Sequence, residues 1–139
     1  MVTEQEARSW LESESSTYRV TTDDHYVIAL SAKYVGATDP QLTAANGTHT
    51  FMFRDIVAEF QSLRSRFGSD VHLVKSTSFG KQNANANVPA GESIYVTVYD
   101  PGTFLSKEAG QAWCARNFPD LSGASLDNVC LPRVASVPH

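Results

Sequence analysis

The sequence predicts an α+β domain: a four-stranded antiparallel sheet with two helices on one face, preceded by a short helix. Three observations predict it. Segments 51–67 and 106–117 place apolar residues at helical spacing. Segments 25–34, 71–76, 93–99 and 128–134 have the β-branched and aromatic character of strands. After the N-terminal helix the elements follow in the order β-α-β-β-α-β, and 139 residues suit one domain.

Thr3 to Glu14 reads as a helix, with Thr3 as its cap and Glu6 as the capping-box partner. Ala7, Trp10 and Leu11 form one narrow apolar stripe on it. Residues 13–17 (Ser-Glu-Ser-Ser-Thr) are a polar break. Residues 1–17 are therefore expected to be a helix and linker, 18–136 the body of the domain, and 137–139 a loose tail.

In the first strand Tyr26, Ile28 and Leu30 alternate with Val27, Ala29 and Ser31. Both sets are apolar enough for a central strand. Residues 36–50 are a loop marked by Asp39-Pro40 and Asn46-Gly47. Asn46-Gly47-Thr48 also fits the N-glycosylation pattern, which is common by chance. Phe53, Ile56, Val57, Phe60, Leu63 and Phe67 give the clearest helix, with Thr50 as cap and Gly68 as stop.

Residues 71–76 form the second strand, and 78–91 an Asn-rich polar loop without packed structure. In the third strand Ile94, Val96 and Val98 face one way and Tyr95, Thr97 and Tyr99 the other. Asp100-Pro101-Gly102 is expected to end it. Ser106 caps the next helix, with Glu108 in its first turn and Leu105, Ala109, Ala112 and Trp113 on its inner face. Pro132 puts the last strand at an edge or a bulge. The whole is the ferredoxin-like, split-βαβ arrangement. Its sheet face opposite the helices is expected to be open, presenting Val27, Ala29 and Ser31 with Tyr95, Thr97 and Tyr99.

Composition limits function. Hydrophobic residues make up 42 %, enough for a core. The net charge is −4, and Arg54, Arg64 and Arg66 are interleaved with Asp55 and Glu59. Nucleic acid needs a concentrated positive face, so it is not an expected partner. No apolar run approaches the roughly 20 residues of a membrane span. Met1 to Trp10 is acidic and polar, unlike a secretory signal. The chain is expected to be either cytoplasmic or a piece of a longer envelope protein.

Cys114 and Cys130 lie where this topology brings chain segments together. A disulfide there would close a loop of about 17 residues, worth about 3 kcal/mol in the chain-entropy model. Two buried free thiols are the other reading. His25, His49, His72 and His139 occupy separate segments, and none pairs at metal-ligand spacing. Asp23-Asp24 before His25 invites acid–base chemistry but is more often a turn signal. No nucleophile elbow, phosphate loop or Cys-x-x-Cys motif occurs. No enzyme activity, metal or cofactor is expected.

Segments Tyr26-Val-Ile-Ala-Leu-Ser31, Val71-His-Leu-Val-Lys-Ser76 and Ser93-Ile-Tyr-Val-Thr-Val-Tyr99 carry a family resemblance. So do Phe104, Ala109, Trp113, Cys114 and Val129-Cys-Leu-Pro-Arg-Val134. Over residues 25–136 the chain resembles the SPOR (sporulation-related repeat) domain, in the versions found on extracytoplasmic regions of actinobacterial membrane proteins. The resemblance implies a non-catalytic module of the cell envelope. It would bind peptidoglycan glycan strands, stripped of stem peptides, on the sheet face opposite the helices. Tyr95, Thr97 and Tyr99, with Ser31 as a secondary contact, are the residues expected to hold the ligand by stacking and hydrogen bonds. The alternative is a protein-interaction or sensory domain of the same fold that binds an envelope protein through the aromatic sheet face or the N-terminal helix. Trp10 and Leu11 point to the helix, although docking on this same domain is the stronger expectation for those two.

Overall fold

The computed structural model describes residues 3–139. Met1 and Val2, at the head of the expected 1–17 segment, lie outside the described residues. The elements run α1 (Glu4–Glu14), β1 (Tyr26–Lys33), β2 (Ala37–Thr38), β3 (Thr50–Phe51), α2 (Phe53–Phe67), β4 (Val71–Lys75), β5 (Tyr95–Phe104), α3 (Lys107–Asn117), α4 (Gly123–Asp127) and β6 (Leu131–Val134). Four strands form an antiparallel sheet in the order β4-β5-β1-β6, with β1 inside as its two apolar faces require.

The expected single-sheet ferredoxin-like βαββαβ fold with two helices is corrected. Over the described residues the chain is a mixed α+β fold with two sheets, of four and two strands, and four α-helices. Residues 36–50 were expected to be a plain loop, but β2 and β3 pair there to make the second sheet. The cause is a local polar network. The Asn46 side chain donates to Asp55 Oδ2 at 2.7 Å and to the Thr50 carbonyl at 2.9 Å. Asp55 also accepts the Asn46 and Met52 amides, so it ties the loop to the start of α2. Thus Met52, not Thr50, caps that helix.

α1 belongs to the core. Ala7 and Leu11 are fully buried, and Trp10 lies 5.8 Å from the Phe60 ring. The Glu4 carboxylate accepts the free amides of Phe53 and Arg54 at 2.8 and 2.9 Å, which caps α2 with a charge its dipole favours. These contacts occupy Trp10 and Leu11 within the domain, so the feature that pointed to a docking helix is spent internally.

The inner face of α3 also differs from expectation. Leu105 is 82 % exposed, and Ala109 and Ala112 are exposed as well. The buried face is Gly110 and Cys114, with Trp113 partly covered. Gly110 permits it: a Cβ there would stand 2.9 Å from Pro132 Cβ and 3.1 Å from Ile28 Cδ1. The helix therefore approaches β1 and β6 closely enough at Gly110 to exclude a larger residue. Cys114 and Cys130 are joined by a disulfide, with Cα atoms 5.7 Å apart, which fixes α3 to the residue before β6. No helix among the described residues is long and apolar enough to cross a membrane.

Candidate functional site

Strand parity decides what each sheet face can bind. Tyr95, Thr97 and Tyr99 lie on the helix-covered face, not on an open one. Tyr95 is 2 % and Thr97 3 % exposed. The Tyr95 hydroxyl donates to Glu12 of α1 at 2.7 Å, and Tyr99 stacks on Trp113 of α3 at 4.6 Å. Burial, with Glu12 beside it, raises the Tyr95 hydroxyl above its ordinary range. Glu12 is in turn lowered, chiefly by its hydrogen bond from Lys75. Ser31 is also on the helix side: its hydroxyl donates to Glu59 of α2. Alternation alone puts Ser31 beside Val27 and Ala29. A bulge between Ala29 and Ser31 spends one extra residue of β1 and reverses the parity beyond it. Of the four residues predicted to hold ligand, Ser31, Tyr95 and Thr97 are buried and Tyr99 is partly buried, all on the helix-covered side rather than on an open face.

The opposite face is not bare either. Val27, Ala29, Val74, Val96 and Val98 form a second core with Val20, Phe79 and Ala135. Two segments cover it. Residues 15–25 form a strap in which Tyr18 stacks on His72 at 3.5 Å. The chain leaving β4 makes 3-10 turns at Ser76–Ser78 and Asn83–Asn87. Between them Phe79 is fully buried, so 78–91 is not the unpacked loop expected. The C-terminal tail is not loose: Gly80 N donates to the Ser136 carbonyl at 2.9 Å, and Gln82 N to His139 at 2.8 Å.

The strap is pinned by a charged cluster that sequence spacing did not reveal. His25 Nε2 meets Asp100 Oδ1 at 2.8 Å, and His25 Nδ1 pairs with Asp23. The Tyr18 hydroxyl donates to the other Asp100 oxygen at 2.5 Å. Burial pulls the His25 pKa down, but hydrogen bonds to Asp100 and Asp23 outweigh it and the net shift is upward. Burial shifts His72 the other way. Asp23 is held below its ordinary value, first by the His25 amide. Both ring nitrogens of His25 are occupied, which suits a clasp rather than a proton shuttle. Asp24, at φ +69°, makes the turn that Asp23-Asp24 suggested. Asp100-Pro101-Gly102 does not end β5: the strand bulges through it and pairs again at Phe104.

What stays open on this face is a groove of about 460 Å³. Ala29 and Ala32 of β1, Ile94, Val96 of β5, and Leu131 and Arg133 of β6 line its floor. Ala32 takes the exposed place the bulge removes from Ser31. Tyr34, Thr38, Asp39, Asp127 and Asn128 line it further, as do Ser76, Lys81, Asn83 and Asn85. Some of these are already used. Asn128 donates to Asp39 at 2.9 Å, Ser76 to Asn85, and Asn85 to Gln82 at 2.7 Å. Among the described residues the side chains of Tyr34, Asn83 and Asp127 have no hydrogen-bond or ion-pair partner. The groove thus combines a flat floor of small side chains with free polar groups at its edge.

Of the groove's free polar residues, Tyr34 and Asp127 were not predicted, and Asn83 was expected only in the general sense that Ser and Asn of the adjacent loops add polar contacts. The signal that could have found them is the size difference along β5: the tyrosine set fits the larger, helix-covered core, which leaves the valine set for the other face. Among the described residues no group of three or more His, Cys, Asp and Glu could hold a metal ion. No protein-family model, no curated protein and no solved structure matches this chain.

Proposed function

We propose that this chain is a non-catalytic binding module of the bacterial cell envelope that holds peptidoglycan glycan in the groove over β1, β5 and β6. The observation that supports this most is the pairing of a flat floor at Ala29, Ala32 and Val96 with unpartnered polar side chains around it. Sugar hydroxyls both donate and accept. An amide such as Asn83, a carboxylate such as Asp127 and a phenol such as Tyr34 meet them in complementary ways. A Tyr34 ring can also pack on the apolar face of a sugar. Small floor residues let an extended strand approach the sheet closely. The disulfide fits an oxidising, extracytoplasmic setting.

The test is co-sedimentation with purified cell-wall sacculi, before and after an amidase strips the stem peptides. Pelleting that increases after stripping and is lost in Tyr34→Ala/Asn83→Ala is the expected result. No pelleting with either preparation overturns the reading.

A further inference from the structure

Arg133 is the most unusual charged side chain of this face. It points from edge strand β6, is only partly exposed, and among the described residues has no carboxylate within ion-pair distance and no side-chain hydrogen bond. Its guanidinium carbon lies 4.8 Å from the centroid of the buried Phe79 ring. On another side it rests against Gly80: a Cβ there would stand 3.0 Å from Nη2, and the φ of +76° also favours glycine. The aromatic ring occupies a face of the guanidinium and leaves the N–H donors at its edge available. Burial alone shifts the Arg133 pKa downward, which records a cation partly stripped of water without a counter-charge.

A second unpaired cation stands nearby. Lys81 and Arg133 line both the groove and an adjoining hollow of about 430 Å³ that includes Ser136 and His139. Asp39 and Asp127 line the groove but not that hollow. In a chain of net charge −4, neither cation has an acidic partner within ion-pair distance among the described residues. The geometry points to an anion-reading subsite, in which Arg133 and Lys81 take a carboxylate carried by the ligand in the groove. A carboxylate fits better than a phosphate. The main-chain amides of Gly80, Gln82, Ala135 and His139 are already donated to main-chain oxygens, which takes four N–H groups away from any phosphate cradle here. A guanidinium edge and an ammonium can each take one oxygen of a carboxylate.

This inference extends the groove reading, and the experiment separates the two. The Arg133 Nε–H resonance is followed by NMR during titration with sodium acetate, with sodium chloride at equal ionic strength as control. A saturable shift specific to acetate, weakened in Lys81→Gln, is expected. A linear response equal to that of chloride overturns the subsite. The same signals are then followed with two tetrasaccharides: neutral N-acetylglucosamine tetramer, and one of equal length whose alternate sugars carry a free lactyl carboxylate. The acidic sugar is expected to bind about tenfold more tightly. That preference should vanish in Arg133→Gln and in the solvent-exposed Lys81→Gln, which keeps the test valid if Arg133→Gln loosens the Phe79 contact. Equal binding of both sugars to the parent chain overturns the subsite and leaves the groove reading standing. Saturable acetate binding without binding of either sugar supports the subsite and overturns the glycan reading.

Discussion

The two faces of the four-stranded sheet are built from one alternating sequence yet differ in nearly everything else. The helix-covered face carries the large side chains: Tyr95 and Tyr99 of β5, Leu73 of β4 and Ile28 of β1, under Phe60, Trp113 and the disulfide. Its polar groups are paired inward, as Ser31 is to Glu59 and Tyr95 to Glu12. The other face carries valines and alanines, closed on one side by a strap and a crossing loop and open on the other as a groove. The difference teaches where binding can arise here. A face packed under three helices spends polar groups such as Ser31 and Tyr95 on contacts inside the domain, whereas a face of small residues leaves both room and unpaired polar groups.

The sharpest way to break this comparison is Tyr95→Ala. If Tyr95 belongs to the core, the change creates a large cavity and orphans Glu12, and unfolding in urea should show a loss of about 4 kcal/mol. A variant as stable as the parent would return Tyr95 to the surface and reverse the assignment of the faces. The next effect in size is the disulfide. Cys114→Ala with Cys130→Ala should lower stability by about 3 kcal/mol. Because the bond fixes α3 to the start of β6, hydrogen exchange should speed up most in those two elements and least in α1. Uniform acceleration would show that the bond restrains the whole chain rather than one side of the sheet.

Most elements of the main sheet were legible because their periodicity is local. The alternation of β5, the aromatic stripe of α2 and the apolar character of both faces of β1 are written in consecutive residues. The faces themselves were not legible, since alternation says which residues share a side and not which side the helices take. The bulge at Ser31 was hidden for a related reason: every residue of Tyr26-Val-Ile-Ala-Leu-Ser31 suits a strand, and only pairing with β5 shows the extra one. The second sheet depends on Asn46 reaching Asp55, and the clasp on His25 meeting Asp100 from 75 residues away. Contacts of that range leave no local pattern. Leu105 misled for the opposite reason, because it continued a helical stripe but sits outside the first turn. The Arg133 subsite required knowing that Phe79 and Gly80 cross the sheet to reach β6.

The strap offers a smaller effect that depends on pH. His25 is raised in the folded state, so the protonated ring stabilises fully below about pH 6.5, the ordinary histidine value. That contribution is lost as pH rises through the higher folded value. His72 is lowered, so its contribution is present above about pH 6.5 and lost as pH falls through its folded value. Thermal melts between pH 6 and 9 should show stability declining on the alkaline side, and His25→Gln should flatten that side alone. Were His25→Gln to flatten the acid side instead, the clasp would not be held by a protonated ring.

The smallest effect on stability falls in the groove, where it separates the faces most cleanly. Tyr34 is partly exposed and Asn83 exposed, and among the described residues neither has a side-chain partner to lose. Tyr34→Ala/Asn83→Ala should therefore change unfolding free energy by no more than about 0.5 kcal/mol per site. Sedimentation with stripped sacculi should nevertheless fall sharply, because a sugar held by a few modest hydrogen bonds and one ring has little affinity to spare. The contrast with Tyr95→Ala carries the argument: one tyrosine is expected to matter to folding, the other to binding. A double variant that is unstable would place Tyr34 and Asn83 in the packing of the domain. A stable one that still sediments would move the ligand out of this groove.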